Sequence, residues 1–269
     1  MKRGEEHMTN LLFSTFRRLF RGKLFWLGIT AMAGLGALVV LARARDNAVL
    51  PGRGYDTPDG LLFIGLTYFP IVVAVFSSLF IGAEHENGTW RNKLVVGHGK
   101  AQIYLAYLCV TTVAVLLMHI AYIGMVLGLS SILLNSFETP SNVNVVFFFC
   151  SIVTVVAINS LMVILCMLVQ KRAFTAVVGV MLAIALMRGG VLIVQMLSEP
   201  EVLTWPSTIV NGVVMPAPDP TPNPKYLTGA KRVFFQFLND FLPGGQTMTI
   251  GMTSEIPAHV WRLPIFPLC

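Results

Sequence analysis

The chain has 269 residues, of which 55% are hydrophobic and only 12% are charged, and its mean hydropathy is +0.73. A soluble domain needs about 25% charged residues to cover its surface, so this composition excludes an ordinary soluble fold and indicates an integral membrane protein. Five or six membrane helices of about 20 residues each use nearly half the chain. No room remains for a folded nucleotide-binding or catalytic domain beside them.

Residues 8–23 form the first predicted element, an amphipathic helix ahead of the first membrane span. Apolar side chains recur at helical spacing, with arginines between them: Leu12, Phe16, Leu19 and Phe20, with Arg17, Arg18 and Arg21. We predict that this helix lies in the inner interface of the membrane, with its apolar residues at the acyl boundary and its cations at the lipid phosphates. A plain positively charged flank has a similar composition and stays open as the alternative.

Long stretches with few or no charged residues predict the membrane spans that follow. The predicted spans are 24–42, 61–83, 103–129, 145–169 and 174–197. Each is long enough to cross about 30 Å of hydrocarbon as a helix, and none shows the two-residue alternation of barrel strands. We therefore predict an all-α polytopic membrane helix bundle, with five full spans.

The distribution of Lys and Arg orients these spans. With a cytoplasmic N-terminus, the inner segments hold nearly twice as many Lys and Arg residues as the outer segments, as the positive-inside rule requires. The net charge of +6 is therefore a consequence of topology. Nucleic acid is not a predicted partner, because no basic stripe with interleaved aromatic residues lies outside the membrane context. We expect a multi-pass protein of the cell membrane.

The cytoplasmic loop at 84–100 carries the densest group of polar residues. Asn87-Gly88 favours a turn, and Thr89 is a candidate cap for a short basic helix that begins directly after it and ends near Gly97. A short rigid helix of this kind is a surface against which a partner protein can push. The alternative is a solvated loop that only follows the positive-inside rule.

Residues 198–260 form the largest segment outside the predicted spans, on the outer side. Alternating prolines at its centre, 215–224, exclude a helix there and predict an extended spacer. Apolar residues at helical spacing then predict an amphipathic helix over 233–242, either on the outer leaflet or packed over the spans. The Pro-Gly-Gly sequence at 243–245 is predicted to end that helix.

No motif for catalysis or nucleotide binding is complete. The Gly-Lys pair at 99–100 resembles a phosphate-binding loop, but Leu94 replaces its first glycine and Ala101 its Ser or Thr. The cysteines lack metal-ligand spacing, so no metal site is predicted. His119 and Asn159 are isolated polar residues within the spans. We interpret them as helix-to-helix hydrogen-bonding groups, with a place on a substrate path as the alternative.

Arg188 is a charge within the fifth predicted span. Such a charge costs at least ~2.5 kcal/mol on insertion scales, and it usually pairs with an acid or faces water. Two interpretations stay open: Arg188 lines a substrate path or pairs across the bundle, or it extends to the outer interface. The neighbouring Gly189-Gly190 pair indicates close helix packing.

Residues 80–104 carry the spacing E-x-x-x-G-T-x-R-N-K-L-x-x-G. The matching residues are Glu84, Gly88, Thr89, Arg91, Asn92, Lys93, Leu94 and Gly97. This pattern resembles the exit of the second span in ABC-2 type transporter permeases. Residues 223–232 and 240–246 are similar to the outer segment before the last span of that family. The chain is similar to permeases of the bacitracin-export and lantibiotic-immunity kind.

The resemblance implies a membrane subunit that works with a separate ABC ATPase, so that ATP is bound by that partner and the chain itself needs no cofactor. Residues 84–100 would be the coupling segment seated in the ATPase, and 8–23 would be the elbow helix. The implied coupling residues are Glu84, Glu86, Gly88, Thr89, Arg91, Asn92, Lys93, Gly97 and Lys100. Cations of the loop are expected to pair with acids of the ATPase, and its two glutamates with bases.

The resemblance also implies export of an antimicrobial peptide, drug or lipid by two permease chains, identical or different, and hence antibiotic resistance in a bacterium. The alternatives are an immunity or sensor protein that binds a peptide without transport and, less favoured, an intramembrane enzyme. Family members end with a sixth span. Because Trp261 to Cys269 has the character of its entrance and then stops, we expect a chain that lacks its last helix, with a five-span protein as the alternative.

Overall fold

The structure is a computed structural model that describes residues 2–52, 57–97, 99–169, 171–204, 208–210, 213–215 and 219–252. The helices in these ranges are α1 (Lys2–Arg21), α2 (Lys23–Val49), α3 (Leu61–Glu86), α4 (Thr89–Val95), α5 (Lys100–Leu133), α6 (Ser141–Leu168), α7 (Arg172–Ser198), α8 (Gly229–Phe241) and α9 (Pro243–Met252). The strands are β1 (Val202–Leu203), β2 (Thr208–Val210), β3 (Val213–Met215) and β4 (Thr221–Pro222). The predicted entrance to a sixth span, Trp261 to Cys269, lies outside the described residues.

Five helices, α2, α3, α5, α6 and α7, are long and apolar enough to cross a membrane. Each overlaps one of the predicted spans, so the prediction of an all-α polytopic bundle is confirmed. The helices are longer than the predicted spans; α5, for example, covers Lys100–Leu133 where 103–129 was expected. Hydropathy marks only the part in hydrocarbon, whereas helical hydrogen bonds continue into the polar ends.

Helix α3 is the centre of the bundle and packs against α2, α5, α6, α7 and α9. In the most apolar 18-residue stretch of each helix, 61% of the residues of α3 are buried, against 22% of those of α2 and of α7. The spans α2 and α7 are therefore less enclosed by the rest of the chain than α3 is.

Tyr122 of α5 fixes the N-terminal end of α3. Its hydroxyl donates to the carbonyl of Leu61 at 2.6 Å and accepts from the amide of Gly65 at 3.1 Å. A regular helix joins this carbonyl and amide directly, so the hydroxyl is inserted into the backbone ladder of α3. A Cβ at Gly65 would lie 2.5 Å from the tyrosine ring, which explains the glycine at this position.

The N-terminal helix α1 begins earlier than the predicted 8–23 and packs against α5 and α2. Its buried side chains are Leu11, Thr15 and Leu19, which lie four residues apart on one face. Phe13 and Phe20 are exposed. The helix is thus amphipathic, as predicted, and one of its faces is fixed against the bundle.

The segment after α7 contains two antiparallel strand pairs and two helices. β1 pairs with β4, and β2 pairs with β3. The extended backbone predicted around the prolines agrees with the described strands.

Helices α8 and α9 fold back against the spans, which agrees with the predicted alternative of an amphipathic helix packed over the spans. α9 packs against α3, α6 and α7, and Gln246 on it is fully buried with its Oε1 3.4 Å from Oγ1 of Thr154 on α6. Thr154 lies about 20 Å along α6 from the outer end of that helix, at 1.5 Å per residue. The hairpin of α8 and α9 therefore reaches deep between the spans.

The Pro-Gly-Gly sequence at 243–245 ends α8, as predicted, but it also begins α9. Proline is favoured in the first turn of a helix because its missing amide is not needed there. A Cβ on Gly244 would collide with the carbonyl of Leu186, and one on Gly190 would collide with Gly244. The close packing predicted at Gly189-Gly190 is therefore found at Gly190.

Candidate functional site

Helix α4 follows the C-terminal end of α3 through a tight turn. Gly88 and Gly97, on either side of α4, have φ values of +66° and +101°, which glycine adopts without a steric cost. Gly88 caps the helix, and Thr89 donates from Oγ1 to the carbonyl of Glu84 at 3.1 Å. The prediction that Thr89 is the cap is therefore wrong, because the left-handed glycine starts the helix one residue earlier.

Glu84 lies at the end of α3 and is only 5% exposed. Its carboxylate forms ion pairs with Arg18 of α1 and with Lys93 of α4, the latter at 2.5 Å between Nζ and Oε2. Glu84 and Lys93 were expected to pair with residues of an ATPase. The structure corrects this expectation, because their charges are paired with each other and with Arg18 inside the chain.

Arg18 and Lys93 each make a second contact that holds the charged group in place. Arg18 donates from Nη2 to the carbonyl of Phe80 at 3.0 Å, and its guanidinium lies 4.1 Å from the centre of the Phe80 ring. Lys93 donates from Nζ to the hydroxyl of Tyr107 on α5 at 2.8 Å. Burial lowers the pKa of Arg18 to about 10. Burial also lowers the pKa of Lys93, against the opposing effect of the hydrogen bond and charge of Glu84.

An aromatic stack holds the other side of α4. The ring of Trp90 lies between His85 and Tyr107, with ring centres 5.0 Å and 6.1 Å away. Trp90 thereby packs α4 against the ends of α3 and α5, as stacked rings do.

The outward side of α4 and its surroundings is polar and accessible. The predicted coupling residues that are exposed are Glu86, Thr89, Arg91, Asn92, Gly97 and Lys100. Arg91 and Lys100 line a cleft of about 670 Å³ with Lys171 from the turn before α7. Oε2 of Glu86 lies 3.7 Å from Nη1 of Arg172, and about half of the Glu86 side chain is exposed. This surface can receive the acidic and apolar groups of a partner.

His119 makes a buried hydrogen bond between helices. Its Nε2 lies 2.8 Å from Oγ of Ser151, and this hydroxyl donates to the carbonyl of Phe148 at 2.7 Å. Which of the two atoms donates depends on the tautomer of the imidazole. In either case the pair joins α5 to α6.

Asn159 has a similar position on α6. Its Nδ2 lies 3.0 Å from the hydroxyls of both Thr111 and Thr112 on α5, and the side chain is fully buried. The interpretation of His119 and Asn159 as helix-to-helix hydrogen-bonding groups agrees with these contacts.

Arg188 is exposed on α7. It lies about 15 Å along the helix from the outer end at Ser198, at 1.5 Å per residue. Within the described part of the chain no acidic side chain pairs with it. The charge therefore points away from the bundle of its own chain.

Sequence reasoning missed Arg18 and Tyr107 as partners of the loop. Arg18 was predicted to meet lipid phosphates, but it follows Leu11 and Thr15 on the buried face of α1. The helical spacing of Arg18 from Leu11 and Thr15 could therefore have indicated that Arg18 lies on the buried face. Nothing in the local sequence indicates Tyr107, because its role depends on the end of α5 lying beside α4.

The chain matches the family model described as ABC-2 family transporter protein over residues 12–188. No curated protein and no solved structure is similar enough to this chain to count as a match. The matched range holds half of α1, all of α2 to α6 and more than half of α7, and it includes the ion pairs of Glu84. Because the family model covers more than half of the sequence, the chain belongs to the ABC-2 family of transporter proteins.

Proposed function

We propose that this chain is the permease subunit that couples a separate ABC ATPase to the export of an antimicrobial peptide, a drug or a lipid. Its family supports a membrane component of an ABC transporter. Export, the bacitracin-export or lantibiotic-immunity kind, and a bacterial cell membrane with the N-terminus inside are parts of the proposal that follow from the sequence resemblance and the charge distribution.

The observation that supports the proposal is the way in which α4 is attached to the bundle. None of its seven residues is buried, yet its base is held by the Glu84 ion pairs and the Trp90 stack. An exposed helix on a fixed base is a suitable lever for a partner that changes shape. We therefore assign residues 84–100 as the contact with the ATPase.

The exposed side of α4 indicates the chemistry of the ATPase surface. Val95 and Val96 are 85% and 64% exposed, and Arg91 is the exposed cation of the same helix. Such a patch fits an apolar groove with an acidic rim, since interfaces combine a desolvated centre with charge complementarity at the edge. Lys100 and Lys171 extend the positive side of the patch.

The assignment predicts that Arg91→Glu prevents association with the ATPase. The tagged chain and the ATPase encoded in the neighbouring reading frame would be produced together, extracted in detergent and co-purified. We expect loss of the ATPase from the eluate, because the reversed charge repels the acidic rim.

Lys225→Glu is the matched control. It makes the same charge change at an exposed residue on the outer side and is expected to leave the co-purified ATPase unchanged. Equal recovery of the ATPase with Arg91→Glu and with the control would contradict the assignment.

The same proposal requires a second permease chain. Exposed apolar residues follow one face of α7: Phe174, Val177, Met181, Ile184, Leu192 and Met196. Arg188 belongs to this face by its helical spacing. We propose that the face, which we call the α7 stripe, borders the substrate path between two permease chains.

A further inference from the structure

We propose that Glu84 is a positioning residue that joins α1, α3 and α4 into one rigid unit at the cytoplasmic end of the chain. A displacement of α4 is then passed to α1 and α3. This inference rests on the proposed function, in which the ATPase moves α4. The rigid unit itself is a property of this chain alone.

The carboxylate of Glu84 holds a different helix with each oxygen. Oε1 pairs with Nη1 of Arg18 on α1, and Oε2 pairs with Nζ of Lys93 on α4. The Glu84 side chain is 6% exposed, against 36% for Arg18 and 19% for Lys93, so water has little access to the carboxylate itself. Removing one partner of a buried ion pair is strongly destabilising, because the remaining charge is left uncompensated.

The second anchors of the two cations make the arrangement stiff. Arg18 is bound to the backbone of α3 through the carbonyl of Phe80, and Lys93 is bound to the hydroxyl of Tyr107 on α5. Arg18 cannot move with α1, and Lys93 cannot move with α4, without breaking a contact to another helix. Three helices therefore meet at one carboxylate, and a fourth, α5, is joined to them through Lys93.

Packing alone does not hold α4 in this place, since it has no buried residue among its seven. The contacts that fix its base are the Lys93 ion pair, the hydrogen bond of Lys93 to Tyr107, the Trp90 stack and the hydrogen bond of Thr89 to the carbonyl of Glu84. Two of these four contacts involve Glu84.

Glu86 provides a contrast two residues further along the chain. Oε2 of Glu86 lies 3.7 Å from Nη1 of Arg172, and the two side chains are 52% and 39% exposed, respectively. Exposed pairs of this kind contribute little. Glu86→Gln is therefore a matched control for Glu84→Gln, with the same chemical change on the same helix.

The test measures the distance between spin labels on α1 and α4. Phe13 and Val95 are 72% and 85% exposed, so labels at these positions leave the ion pairs intact. The full chain carries cysteines there, with its native cysteines replaced, and is reconstituted in lipid nanodiscs without ATPase. We expect a single narrow distance distribution for this parent and for Glu86→Gln, and loss of that narrow distribution for Glu84→Gln.

A rescue separates the ion pairs from a general loss of folding. The triple variant Arg18→Glu, Glu84→Arg, Lys93→Glu restores opposite charges at all three positions and is expected to restore the narrow distribution. A triple variant as broad as Glu84→Gln would overturn the ion-pair basis of the unit.

A narrow distribution in Glu84→Gln itself would overturn the rigid unit. Because no ATPase is present, that result leaves the proposed function in place. Failure of the proposed function is instead measured by the co-purification of the ATPase with Arg91→Glu.

Discussion

At the scale of single residues, polar side chains join segments that are distant in sequence. Asp59, in the loop before α3, is an example. Its carboxylate accepts hydrogen bonds from the backbone amides of Glu138 and Thr139, both at 2.9 Å, and its own carbonyl accepts one from Nη2 of Arg43 at 3.2 Å. One residue thus connects the loop before α3, the loop before α6 and the end of α2.

Asp59 predicts a pH dependence of stability. Burial raises its pKa, but the hydrogen bonds of Thr139 and Glu138 outweigh burial and hold the pKa below its ordinary value. A depressed folded pKa means that the contribution is present above the unfolded value, near pH ~4, and is lost as pH falls through the folded value. We expect the melting temperature in detergent to exceed that of Asp59→Asn at pH 6, and this difference to shrink below pH 4.

The control for this experiment is Asp219→Asn, a change at an exposed acid on the same side. It is expected to melt like the parent at both pH values. A difference between the parent and Asp59→Asn that persists unchanged to pH 3 would argue against the hydrogen-bonded carboxylate.

At the scale of elements, the spans and α8 could be predicted from the sequence, whereas α9 could not. In hydrocarbon a helix is the only open structure that satisfies its own backbone, so a local run of apolar residues is enough to identify a span. Helix α9 has ten residues and carries Gln246, Thr247 and Thr249. These side chains are satisfied by neighbours such as Asp240 and Asn239, which no window of local hydropathy reveals.

The candidate site, too, has features that could be predicted from the sequence and features that could not. The motif identified Glu84, Arg91 and Lys93 as a group, because their spacing is local. It did not distinguish the residues that face a partner from those that face the chain. That distinction depends on Arg18, which lies 66 positions before Glu84 in the sequence and meets it only after α1 has packed against the bundle.

Gly244 tests the placement of α9. Because a Cβ here would meet the backbone carbonyl of Leu186, Gly244→Ala must displace α9 from α7. We expect a loss of about 1–3 kcal/mol of stability, as for other overpacked sites, measured as a lower melting temperature in detergent.

Gly128→Ala is the matched control, since no atom lies within 4 Å of a Cβ built at Gly128 on α5. Alanine is the better helix former, so this variant is expected to melt at the parent temperature or slightly above it. Equal melting temperatures for the two variants would show that α9 does not pack on α7 as described.

At the scale of the whole molecule, the bundle has a well-packed centre at α3 and an open side at the exposed face of α7. In the most apolar stretch of each helix, 61% of the residues of α3 are buried, against 22% for α2 and for α7. On this open side, the α7 stripe is apolar except for Arg188. A charge this far from the end of a span is expensive unless it meets water or a partner, so the assembled transporter is expected to supply one of these.

This argument predicts that Arg188→Leu loses export while Arg188→Lys retains part of it, because lysine keeps the charge. The measurement is the minimal inhibitory concentration of bacitracin, and of a lantibiotic, for a strain that lacks the native gene and carries each variant. Arg45→Leu, which removes an exposed cation from the end of α2, is expected to protect like the parent. The amount of co-purified ATPase should be the same for all of them, since Arg188 is far from α4. Full protection by Arg188→Leu would instead mean that the side chain extends to the outer interface, and that the substrate path lies elsewhere on the open side.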